Sequence, residues 1–164
     1  MNRIELIRFA LQMSEGFTMR MMKDLRQHPL TRPTAAGGNH ALWTMGHLAF
    51  LEGGIYALVT DSAHPTQAWA PLFAPGTQPS DDASVYPPLE ELIGAYQKYR
   101  ANNIEALNKM DDAGLDRQPR NVPPGFEDLM RTVGQTLLLI SLHQMLHTGE
   151  LADCRRAAGF KPMM

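Results

Sequence analysis

Proline placement decides most of what this chain can fold into. Its twelve prolines leave residues 2–27, 34–64, 89–118 and 125–161 untouched, and six of them crowd between Pro65 and Pro88. Each proline removes a backbone donor and clashes with the preceding turn, so 65–88 cannot form one continuous helix. The four untouched segments are each long enough for a major helix.

Each segment carries helical signals. In the first, Ile4, Ile7, Leu11, Ser14, Thr18, Met21 and Leu25 recur at spacings of three and four, the stripe of an amphipathic helix. Ser14 and Thr18 interrupt that stripe, either by bonding back to their own helix or by facing a polar cavity. Gly37-Gly38 break the chain before the second helix, for which Asn39 is the expected N-cap. The third follows Pro87-Pro88, turns Leu92, Tyr96, Asn103 and Leu107 inward, and ends at Asp111-Asp112-Ala113-Gly114. Thr132-Val133-Gly134-Gln135 reads as a capping box opening the fourth, which Gly159 and Pro162 close.

No run alternates with period two, and no Asn-Gly or Asp-Gly hairpin turn occurs. The expectation is all-α: a single domain over 1–164 with helices near 2–27, 39–59, 88–110 and 132–158. That is a four-helix bundle with a long crossover between helices two and three, Trp69, Leu72 and Phe73 lying on its outside. Leu139, Leu142, Leu146 and Leu151 are expected to leave the fourth helix largely buried.

Composition narrows the function. Hydrophobic residues make up 44% and charged residues 20%, a globular balance. Fifteen basic against seventeen acidic residues give a net charge of -2, which offers a phosphate backbone no electrostatic footprint. Nucleic acid is therefore disfavoured as a ligand. No apolar run approaches a membrane span, and Glu5 and Arg8 interrupt any secretory leader. The lone Cys154 excludes an intramolecular disulfide and a cysteine-rich metal site. These features suggest a cytoplasmic protein, and the Leu-, Met- and Ala-rich helix edges suggest a homodimer.

The chemistry sits in the histidines. His143 and His147 stand four apart, so two imidazoles on one helical face can reach one ion. Two neutral imidazoles beside an apolar core are costly unless their nitrogens find partners. His47 in Trp43-Thr44-Met45-Gly46-His47-Leu48 supplies a third, and Gly46 lets a neighbouring helix or a ligand come close. Three neutral histidines suit zinc or nickel and leave a coordination position for water or substrate. Glu150 shares the face of His143 and His147, placed to accept an imidazole N–H or to act as a base.

The remaining candidates read more plainly. Glu52 lies nearly opposite His47 around the helix and fits an ion pair at the surface or between helices. His40 is about 10 Å from His47 along the axis, too far for a shared ion, and reads as a helix-start residue or pocket rim. His28 and His64 precede prolines in loops and read as surface residues, and Cys154 as a small buried apolar group.

The order Trp-x-x-Gly-His-Leu, long connection, His-x-x-x-His-x-Gly-x-Leu resembles the DinB-like superfamily over essentially the whole chain. The resemblance implies a four-helix bundle with a three-histidine metal site, its ligands falling on His47, His143 and His147. One departure is Glu150, where the family usually carries Gln. Members of known chemistry are metal-dependent transferases that attach small thiols such as bacillithiol or mycothiol to electrophiles. The resemblance therefore implies a divalent metal and a small-molecule substrate. In such an enzyme the substrate-facing residues would come from helices one and three, with Ser14, Thr18, Tyr96 and Asn103 as candidates. A metal-dependent hydrolase or a non-catalytic metal- or ligand-binding dimer would use the same histidines.

Overall fold

The computed structural model describes residues 1–34 and 38–163. Gly37, half of the expected helix-breaking pair, lies outside them. Among the described residues the protein is all-helical, with no strand. Four long helices, α1 (Arg3–Leu25), α2 (Ala41–Thr60), α4 (Leu89–Asn108) and α6 (Val133–Ala157), are joined by segments carrying short α3 (Ala70–Phe73) and α5 (Asp112–Asp116). No described helix is long and apolar enough to cross a membrane.

The helix ends follow local chemistry, with three corrections. Asn2 and Glu5 form a reciprocal capping box on α1, each side chain taking the other's backbone N–H at 2.9 Å. The N-cap of α2 is His40 rather than Asn39: its backbone is extended and its Nδ1 accepts from Trp43 N at 3.1 Å. At α6, Thr132 Oγ1 accepts from Gln135 N at 3.1 Å, but no return bond from the Gln135 side chain completes the box. Asp111 does not simply end α4. It caps the new helix α5 by accepting from Gly114 N at 2.8 Å. Gly159 follows α6 with φ +91°, the left-handed conformation that favours glycine.

Helix directions come from the contacts. Ser14 and Thr18 of α1 meet Gln144 and Thr148 of α6, so these two helices run the same way. α2 and α4 share the opposite direction: one core cluster gathers Trp43 and Met45 with Leu92 and Tyr96, the other Ile55 and Val59 with Leu107. The segment from Asp61 to Pro88 therefore joins the far end of α2 to the near end of α4. It is not merely laid on the outside. Phe73 is fully buried, under Gly46 of α2.

Between the clusters lies a buried polar layer. Arg100 of α4 donates to Glu52 of α2 at 2.5 Å, to Leu11 O at 2.8 Å and to Gln144 Oε1. Asn103 donates to the other Glu52 oxygen at 2.9 Å. Gln144 Nε2 faces Thr18 Oγ1 at 2.7 Å, the Tyr96 hydroxyl at 2.5 Å and Ser14 O at 3.1 Å. Glu52 is thus an inter-helix ion pair but not a surface one; burial raises its pKa against the pull of Arg100 and Asn103.

Candidate metal centre

The three histidines converge where α2 begins and α6 ends. His47 Nε2 lies 3.3 Å from His143 Nε2, which lies 3.0 Å from His147 Nε2. All three ligand atoms fall within 4.8 Å of one another, and among the described residues no other group of three His, Cys, Asp or Glu side chains converges in this way. His47 and His147 are buried, while His143 keeps partial exposure.

The outer nitrogens are held by the protein. His47 Nδ1 sits 2.7 Å from Phe73 O, and because a carbonyl only accepts, that nitrogen carries the proton. Trp43 stacks on the same ring at 4.8 Å with a 10° tilt, and its Nε1 donates to Leu72 O at 3.0 Å, tying the 61–88 segment to α2. His147 Nδ1 donates to Glu150 Oε2 at 2.7 Å. Asn39 Nδ2 in turn donates to Glu150 Oε1 at 3.1 Å. With Nδ1 protonated, Nε2 of His47 and of His147 presents a lone pair to the cluster.

Electrostatics favour the neutral forms of His47 and His143. Burial is the main cause that brings the His47 pKa down to about 4; the Phe73 carbonyl opposes it and the neighbouring histidines reinforce it. His143 is also lowered, first by burial and then by His147. Burial alone would raise Glu150, but the hydrogen bond and charge of His147, with the Asn39 amide, hold it below the usual carboxylate range.

This donor set fits a divalent cation. His143 Nε2 can donate its one proton to only one of its two neighbours, so lone pairs face each other at 3.0 or 3.3 Å unless a positive charge lies between them. Zinc–nitrogen bonds of about 2.0–2.1 Å in a tetrahedral shell put donors roughly 3.3 Å apart. The three histidines could hold such an ion, with Glu150 behind His147 rather than in the cluster.

The other candidates fall elsewhere. His40 is neither rim nor ligand: it is buried, caps α2, and its Nε2 donates to Ser80 O at 2.9 Å. Ser14, Thr18, Tyr96 and Asn103 do not face open space. They are buried in the polar layer, where their groups meet Arg100, Gln144, Thr148 and Glu52. His28 and His64 are half-buried, His28 edge-on to Phe160 and His64 against Phe50. Cys154 is buried and its thiol is pushed up to about 11, chiefly by burial, so it is no nucleophile at neutral pH.

Sequence reasoning missed Phe73 and Asn39. Phe73 acts through a backbone oxygen, which carries no sequence signature, although Gly46 gave a hint. A Cβ there would lie 2.1 Å from the Phe73 ring, so what comes close to Gly46 is the short helix α3.

A buried three-histidine cluster in an all-helical chain defines a class of proteins able to hold a metal. The chain belongs to the DinB superfamily, whose defining sequence pattern matches residues 14–151, a span that includes all three histidines and Glu150. A search of the curated proteins finds no match.

Proposed function

We propose that this protein is a divalent-metal-dependent enzyme with His47, His143 and His147 as its ligands, zinc or nickel as its metal, and S-transfer of a small thiol to electrophilic small molecules as its reaction. The observation that carries this reading is the convergence of three Nε2 atoms with Glu150 held outside them. Three protein ligands leave a coordination position for a reactant, whereas a closed structural site needs four. When bound, the ion supplies the Lewis acidity that makes a thiol or a water nucleophilic near neutral pH.

The chain's own residues do the positioning. Phe73 O and the Trp43 ring fix His47, and Glu150 fixes His147 and raises its basicity. Both Glu150 oxygens are engaged and its pKa is lowered by these partners despite burial, which supports an orienting role over a general base. The reading takes the four long helices as one four-helix bundle and a single domain over 1–164, with 61–88 as its crossover. It supposes a cytoplasmic setting, where small thiols stay reduced. Nucleic acid and membrane have no part in it.

The test is the metal content of protein purified without a histidine tag, followed by conjugation of small thiols to a model aryl halide. Near-stoichiometric zinc or nickel with metal-dependent conjugation is the expected result. Metal-dependent ester or amide hydrolysis without conjugation would move the reading to a hydrolase. Protein that neither carries nor takes up zinc or nickel would overturn it.

A further inference from the structure

The last helix ends in a turn that brings the chain back onto α1. Gly159, with φ +91°, lets Phe160 N donate to Arg155 O at 3.0 Å, which closes α6 and reverses the tail. Arg155, buried at this end, pins the reversed tail. Its Nη1 donates to Lys161 O at 3.1 Å, and its guanidinium stands 5.3 Å from the Phe160 ring, which His28 meets edge-on at 4.9 Å. From the same guanidinium, Nε and Nη2 donate to Asp24 Oδ2 of α1 at 2.9 and 2.5 Å.

Between α1 and the pinned tail lies a cleft of about 450 Å³, within the range of pockets that take small molecules. Four bases line it, Arg20, Lys23, Arg155 and Lys161, against one acid, Asp24. Asp24 and Arg155 neutralise each other, so the cleft keeps the charge of the other three. Arg20, Lys23 and Lys161 are exposed and, among the described residues, form no ion pair. Complementing the helix dipoles does not account for them. α1 and α6 both end here, but each end is equivalent to only about half a negative charge. Three unpaired cations around one concavity, in a chain of net charge -2, repel one another unless an anion joins them. The cleft also has an apolar side, formed by Phe160 and Met163.

We propose that this cleft binds a small phosphate ester, with its phosphate on Arg20, Lys23 and Lys161 and its apolar body against Phe160 and Met163. An esterified phosphate carries about 1.5–2 negative charges near neutral pH and three acceptor oxygens, one for each cation. A carboxylate brings one charge and two oxygens, and leaves a base without a partner. The site is separate from the histidines: Arg155 lies eight residues, about 12 Å, beyond His147 along α6, and it faces α1 rather than α2.

Isothermal titration calorimetry of the full chain with phenyl phosphate, benzoate and inorganic phosphate is the test. Phenyl phosphate should bind at a single site, about tenfold or more tighter than benzoate, which has the same ring and half the charge. It should also bind more tightly than inorganic phosphate, which has no apolar body. Arg20→Gln, Lys23→Gln and Lys161→Gln should each weaken phenyl phosphate by about tenfold with an unchanged helical circular dichroism spectrum, since all three side chains are exposed. Arg131→Gln, an exposed base outside the cleft, should bind as wild type does. His143→Ala should too, which separates the cleft from the metal. No binding of phenyl phosphate, equal affinity for benzoate, indifference to the three cleft variants, or loss of binding in His143→Ala would each overturn the proposal. Cosedimentation with phosphatidylcholine–phosphatidic acid vesicles, without affinity for phenyl phosphate, would assign the cleft to a lipid headgroup and overturn it as well.

Discussion

His47 Nδ1 lies 2.7 Å from the backbone oxygen of Phe73, twenty-six residues further along the chain. That bond fixes which nitrogen of the ring is free, and it exists only because Gly46 has no side chain. The Phe73 ring occupies the space where a Cβ would stand.

Gly46→Ala should therefore damage the histidine cluster without touching a histidine. Displacing Phe73 releases the His47 ring and overpacks the core, at a cost of about 1–3 kcal/mol. Loss of an outer hydrogen bond of this kind lowers metal affinity by about 10–100-fold. Thermal melting and zinc titration of the variant measure the two effects separately.

Single changes of His47, His143 or His147 to Ala should each remove most bound metal, because two nitrogens leave an incomplete shell. His64→Ala should leave metal content unchanged. His40→Ala should also keep the metal but lose about 1 kcal/mol of stability, since His40 caps α2. Elemental analysis paired with urea denaturation separates ligand from cap. Retention of metal by His47→Ala would show the wrong α2 residue was chosen.

Glu150→Gln should keep the fold and the metal but weaken affinity or turnover by about 10–100-fold, because the amide keeps the shape and loses the charge held against His147. Asn39→Ala should act in the same direction and more weakly, since Asn39 reaches His147 only through Glu150. Unchanged metal affinity and turnover in Glu150→Ala would leave the three histidines to carry the site alone.

The metal-free protein should lose stability on acidification. Burial holds His47 at about 4 and lowers His143, whereas in the unfolded chain both titrate near about 6.5. Between those values the unfolded chain binds protons that the folded chain does not. Stability is then complete above pH 6.5 and falls as pH drops toward 4, by on the order of a few kcal/mol. Urea denaturation at pH 7 and pH 5 should show the loss, and His47→Gln should flatten it.

The His143–His147 pair was legible in the sequence because its geometry is local, whereas His47 comes from 96 residues away. A spacing of four puts His143 and His147 on one face, and Gly46-His47 marked a close approach. The same held for Glu150, one turn from His147. Asn39 was misread because it adjoins His40: both are plausible caps, and only the reach of the Asn39 amide to Glu150, 111 residues away, decides between them. Ser14, Thr18, Tyr96 and Asn103 were expected to face substrate; they do turn inward, but onto protein. Their partners are Arg100, Gln144 and, for Asn103, Glu52, so the space between them is filled by protein. Leu142 and Leu146 are exposed, and misled because hydrophobicity encodes burial without naming what does the burying.

The shared direction of α1 and α6 bears on the order of assembly. His143 emerges from synthesis 96 residues after His47, and both partners of His47 arrive only with α6. The nitrogens therefore cannot meet until α6 has docked between α1 and α2, a contact of high sequence separation and slow closure. An ion held there would bind only chains in which α6 has docked, so metal supply would act on the population of folded chains rather than on the early steps that build them.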